Sequence, residues 1–183
     1  MDSRPTRIAV APPCVPVWGW PVAVRIEESG ILVSRIHVRA EKVDAFSQWS
    51  DRFGIPFIML SRDKASASRQ RLDALHELAH VLLHRKVTQE YLNNRTTYKI
   101  LEKHADQFAS FMLLPERDFL DELYAPTLDG MLSLKERWGV SVSAMIMRCK
   151  SLDILDDLSA KRLWMITHGA DGAKVNHLTV KWK

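Results

Sequence analysis

The stretch RQRLDALHELAHVLLH, residues 69–84, sets two histidines four positions apart, with a glutamate directly after the first. On a helix, residues four apart share a face and lie about 6 Å apart along the axis. His76 and His80 can then aim imidazole nitrogens at one metal ion, and neutral imidazole suits zinc at a Zn–N distance of about 2.0–2.1 Å. Glu77 sits one step round the helix, where it can hold a water and take its proton, the role of the general base in a zinc peptidase. His84 lies eight residues beyond His76, about 12 Å along a straight helix, so it is read as structural or as an outer partner of the site. The competing reading is an ordinary amphipathic helix whose histidines and glutamate form its wet side.

A two-histidine site needs a third protein ligand, and LEKHADQFASFMLLP supplies candidates. Glu102 and Asp106 are again four apart and share a helical face. The first can ligate the metal. The second can accept a hydrogen bond from a ligand histidine and fix its tautomer. His104, two residues from Glu102, faces elsewhere. Two imidazoles and a carboxylate accept several metals, so zinc is expected and manganese is possible. A donor that helps stabilise the transition state is not singled out; Tyr91, Arg95, Tyr98 and His104 are candidates.

The elements that must position these residues are legible in outline. Residues 22–40, VAVRIEESGILVSRIHVRA, read as two short strands turning at Gly30. VDAFSQWSDRFG reads as part strand or short helix, and IPFIMLS as a buried strand. Ser66 or Ser68 caps a helix carrying Leu72, Leu75, Ala79, Leu82 and Leu83 at helical spacing. TQEYLNNRTTY reads as a loop. A second helix is expected from about Tyr98 to Leu114, ended by Pro115, which opens a short helix in ERDFLDELY. Residues 128–150 have helix-turn-helix spacing, with Gly139 at the turn and Ser141 or Ser143 as the next cap. A last helix is expected around Ser159 to Thr167, then a strand-like VNHLTVKW.

The 183 residues suit one domain or one domain with an appendage, and the expected division is an irregular Pro-rich arm over 1–20, a main domain over 21–126 and a helical region over 127–183. Hydrophobic residues make up 46% and charged residues 26%, the balance of an ordinary globular protein that needs no disulfide staples. The two cysteines, Cys14 and Cys149, form neither a zinc pair nor a disulfide framework, which favours a reducing compartment. Prolines at 12, 13, 16 and 21 break the helix a signal peptide needs, and no apolar run is long enough to span a bilayer. The expected location is cytoplasmic, with no membrane partner. A net charge of +4 permits an acidic partner without demanding one. The helix SVSAMIMRCK is poor in groove-reading side chains, so direct DNA binding is not expected.

With these residues in place, HELAHVLLH followed by EKHADQFASFMLLP resembles the ImmA/IrrE family of metallopeptidases, whose members show HELGH-x-LLH and then E-x-x-A-N/D-x-F-A-x-x-L-L-P. IPFIMLSRDKASASRQR and LKERWGVSVSAMIMRCKSL are similar to the family's flanking segments, and the likeness covers roughly residues 25–165. It implies a compact zincin-like α+β fold, with a small sheet on the HExxH helix, a second ligand helix and a helical C-terminal hairpin. It also implies a gluzincin-type zinc site with His76, His80 and Glu102 as ligands and Glu77 as base. Family members are linked to cleaving or otherwise inactivating Xre-type helix-turn-helix repressors, which derepresses stress or mobile-element genes. No complete Xre domain is recognisable here, so a repressor is expected to be met in trans. Ala79 replaces the family's usual Gly, which a helix accepts readily. The alternative from a different class is a non-catalytic module that binds a repressor or antitoxin-like partner.

Overall fold

The computed structural model describes residues 22–37, 44–62 and 66–168. The expected N-terminal arm and the expected last strand lie outside them. The elements run α1 (Val22–Glu28), β1 (Leu32–Ile36), β2 (Ala45–Ser50), β3 (Ile55–Ser61), α2 (Ala67–Leu83), α3 (Gln89–Asn93), α4 (Arg95–Leu113), α5 (Glu116–Glu122), α6 (Leu128–Trp138), α7 (Val142–Ser151) and α8 (Asp157–His168). The fold is α+β, with its strands early in the chain and helices after them.

β3 is the central strand of a three-stranded sheet, parallel to β1 and antiparallel to β2. Its apolar sequence fits that place: Ile58 and Leu60 are fully or almost fully buried. Pro56 has no N–H to give the ladder; it stands opposite Trp49. The sheet packs on α2, which in turn packs along α4.

Local chemistry starts and stops these helices. The Ser66 side chain accepts from the Arg69 N–H and caps α2. Asn94 accepts from the N–H groups of Thr96 and Thr97 and caps α4. Ala74 and Ala79 of α2, and Ala105 and Ala109 of α4, are buried, and such small side chains let helices approach closely. α2 turns Val81 inward, while Leu82 and Leu83 face solvent, although their spacing also fits the apolar series.

Two expected segments fold differently. Residues 22–28 form a helix and not a strand, because Val22 and Ile26, four apart, both bury while Arg25 pairs with Glu28 at 2.8 Å across one turn. Gly30, at φ 82°, then turns the chain into β1. The expected loop after α2 contains α3 and the first turn of α4. α3 buries nothing, so apolar periodicity gives no sign of it, and it lies against α4.

The last helices complete one core that runs from Val22 to Ala160. α6 ends at Gly139, which adopts φ 60°, and Ser141 caps α7 by accepting from Ala144 N–H. α7 turns Met145, Ile146 and Cys149 into the core. Arg148, also buried, donates to the Leu114 carbonyl at 2.9 Å and ties α7 to the end of α4. Burial pushes the Cys149 thiol up to about 11, so it is packing and not a reactive group. Among the described residues, no helix is long and apolar enough to cross a membrane.

Candidate metal centre

The packing of α4 along α2 brings Glu102 over the face that carries His76 and His80. The two histidine Nε2 atoms are 3.1 Å apart. Glu102 Oε2 lies 3.4 Å from His76 Nε2, and Oε1 lies 3.5 Å from His80 Nε2. Among the described residues these three form a group able to hold a metal ion.

The other nitrogen of each histidine is also engaged. His76 Nδ1 is 2.9 Å from Asp106 Oδ1. A carboxylate there accepts, so the proton sits on Nδ1 and the Nε2 lone pair points to Glu102 and His80. His80 Nδ1 is 2.9 Å from His84 Nδ1. If His80 keeps Nε2 free and donates through Nδ1, the neutral His84 proton must be on Nε2. That atom is buried and meets no acceptor among the described residues. His104 stacks on His84 with ring centres 6.1 Å apart and stands outside the donor group.

Glu77 points to the sheet. Ser47, in the middle of β2, donates its hydroxyl to Glu77 Oε2 at 2.6 Å. A cleft of about 940 Å³ runs over the site between β2 on one side and α2, α3 and α4 on the other. His76, Glu77, His80, Glu102 and Asp106 all line it. Asp44, Arg69 and Asp73 form an ion-paired cluster in its lining, with both Arg69 contacts at 3.0 Å. The lining also includes Arg85, whose guanidinium lies 3.7 Å above the centre of a Trp49 ring. Of the four candidate helper donors, Tyr98 lines the cleft; Tyr91, Arg95 and His104 do not.

The family sequence model for the IrrE N-terminal-like domain, Peptidase_M78, matches residues 26–150. The chain belongs to this family. It therefore carries a metallopeptidase-family domain, and the match takes in all three strands and both helices that build the site. No curated protein matches the chain significantly. A solved Mycobacterium tuberculosis transcriptional regulator has a similar fold, with a TM-score of 0.50 and 16% identity, over 69% of this chain and 38% of that one. The similarity thus spans well under half of that regulator's length.

In this IrrE-like domain the electrostatics of the two histidines oppose each other. Burial works against a charged His76, but the hydrogen bond and charge of Asp106, with Glu102 and Glu77, outweigh it and raise its pKa. His80 is lowered by burial and by His76. Two Nε2 atoms this close cannot both carry a proton. Burial raises the Glu77 carboxyl against the pull of the Ser47 hydroxyl. Burial, then the charge of Glu102, raises Tyr98.

The donor set tests well against zinc. A tetrahedral ion with bonds of about 2.0–2.1 Å holds its ligand atoms roughly 3.3–3.4 Å apart. The two histidine nitrogens, 3.1 Å apart, lie close to that value, and each has a different Glu102 oxygen at 3.4 or 3.5 Å, so a carboxylate oxygen is within reach of the same ion. Sequence reasoning missed Ser47 altogether. It stands thirty positions from Glu77, and the register of β2 on β3, which no motif reveals, brings it there.

Proposed function

We propose that this chain is a zinc-dependent endopeptidase that acts in trans on a helix-turn-helix repressor, with His76, His80 and Glu102 as metal ligands, Glu77 as general base and Asp106 fixing the tautomer of His76. The observation that carries the reading is the three-residue donor set in the wall of an open cleft, with a partly buried carboxylate beside it. Manganese is the alternative occupant, since the donors are nitrogen and oxygen only. When bound, the metal supplies Lewis acidity toward a carbonyl oxygen and toward water.

The chain's own residues supply the rest. The cleft is at the upper end of small-ligand pocket sizes and suits a length of polypeptide. Glu77 takes one proton from the attacking water as its oxygen bonds to the scissile carbonyl carbon. It then passes that proton to the nitrogen as the C–N bond breaks. Burial raises its pKa and makes it a stronger base than an exposed glutamate. Asp106 and His84 hold the far nitrogens of the two imidazoles. Tyr98, in the lining one turn before Glu102, is the best-placed candidate to donate to the developing oxyanion.

The repressor part of the proposal draws support from the family resemblance, and the regulator name of the structural neighbour is in keeping with it. The test is Glu77→Gln in an otherwise intact chain, incubated with candidate repressors encoded near it. The variant is expected to keep its metal and lose cleavage. Cleavage at the wild-type rate removes Glu77 from the mechanism, and no cleavage by the metal-loaded wild type leaves a binding role.

A further inference from the structure

We infer that Ser47 is a positioning residue for the Glu77 carboxylate: its hydroxyl holds Oε2 and leaves Oε1 to receive the proton of the attacking water. The inference rests on the metallopeptidase reading above and adds to it a residue from the sheet.

β2 alternates over its first five residues. Phe46 and Gln48 are exposed, whereas Ala45, Ser47 and Trp49 are partly buried. Ala45 and Trp49 pack against the hydrophobic core. Ser47, between them, occupies a register position that packing alone would fill with an apolar side chain. Its hydroxyl meets Glu77 at 2.6 Å, the length of a charge-assisted O–H···O⁻ bond.

A purely structural tie between sheet and helix is already provided elsewhere. Asp44, just before β2, is paired with Arg69 of α2 at 3.0 Å. Trp49, at the other end, packs into the core and stacks under Arg85. The bond to Glu77 is therefore redundant for docking β2 but not for the carboxylate. A glutamate on a helix surface samples several rotamers, and a base that must meet a water in one geometry loses rate when it wanders. Fixing one oxygen restricts the group and still exposes the other.

The experiment uses the zinc-loaded full chain and acetohydroxamate, followed by calorimetric titration. A hydroxamate chelating zinc gives its hydroxyl proton to a neighbouring carboxylate, so it reports on the placement of Glu77 without a peptide substrate. Ser47→Ala is expected to bind it about tenfold more weakly, with zinc content and melting temperature unchanged. Ser47→Thr, which keeps the hydroxyl, is expected to restore binding. Glu77→Gln weakens binding, and adding Ser47→Ala to it is expected to have no further effect, because Ser47 acts through Glu77. Wild-type affinity in Ser47→Ala, or an equal loss in the Glu77→Gln background, overturns the inference while leaving the metallopeptidase reading intact. A wild-type chain that takes up no zinc overturns both.

Discussion

His76 Nδ1 lies 2.9 Å from Asp106 Oδ1, so a carboxylate on α4 decides which nitrogen of a histidine on α2 carries the proton. The lone pair left on Nε2 is the one that faces His80 and Glu102. Asp106 is itself well exposed, which limits what its charge contributes and leaves orientation as its main effect. Asp106→Ala is expected to weaken zinc binding about tenfold without unfolding the metal-free chain. Competition against a chromophoric chelator reads the affinity, and an unchanged constant removes Asp106 from the site.

His80 should matter more, because among the described residues no other nitrogen joins His76 and Glu102 in the group. The wild-type chain is expected to hold about one zinc ion, as a three-donor set with an open fourth position implies, and His80→Ala to hold none after dialysis. Elemental analysis of the two proteins side by side decides it. Equal metal in both places the ion elsewhere.

The grouping of the site's residues was more legible in the sequence than the frame that holds them. The pairs His76/His80 and Glu102/Asp106 were readable because a helix converts a spacing of four into a shared face, and both lie on helices. Alanines at 79, 105 and 109 are buried in these helices and permit their close approach. Ser47 was not readable. Its partner is fixed by how β2 registers on β3, a long-range pairing without local signal. The segment of α1 reads as a strand because Val and Ile favour strands by composition, and only tertiary burial of Val22 and Ile26 selects the helix. α3 buries no side chain, which leaves no periodicity in the sequence.

Asp73 is expected to give the metal-free protein a pH dependence. Burial raises its pKa above the ordinary 3.8, against the opposing pull of Arg69 at 3.0 Å. The folded chain thus binds this proton more tightly than the unfolded chain does. As pH rises through the window between 3.8 and the raised value, Asp73 ionises at a cost in stability, and the cost persists at neutral pH. Asp73→Asn is expected to melt above the wild type at pH 7, with the gap narrowing as pH falls toward 4. A variant that melts lower at pH 7 shows that the ion pair with Arg69 outweighs desolvation.

The turn between α6 and α7 joins a backbone requirement to a long-range contact. Gly139 sits at φ 60°, where a side chain costs about 1–2 kcal/mol. Its carbonyl also accepts from Arg71 Nη1 of α2 at 2.8 Å, and a Cβ on residue 139 would lie 1.7 Å from that same nitrogen. Gly139→Ala must therefore strain the turn and displace the guanidinium together. The expected loss is roughly 2.5–5 kcal/mol, since a hydrogen bond from a charged donor contributes about 1.5–3. In an Arg71→Ala background there is nothing to displace, and the same substitution is expected to cost only the strain, about 1–2 kcal/mol. Urea denaturation of the four proteins measures the difference. Equal costs in both backgrounds would mean that Arg71 swings clear freely and that the αL backbone alone makes glycine necessary here.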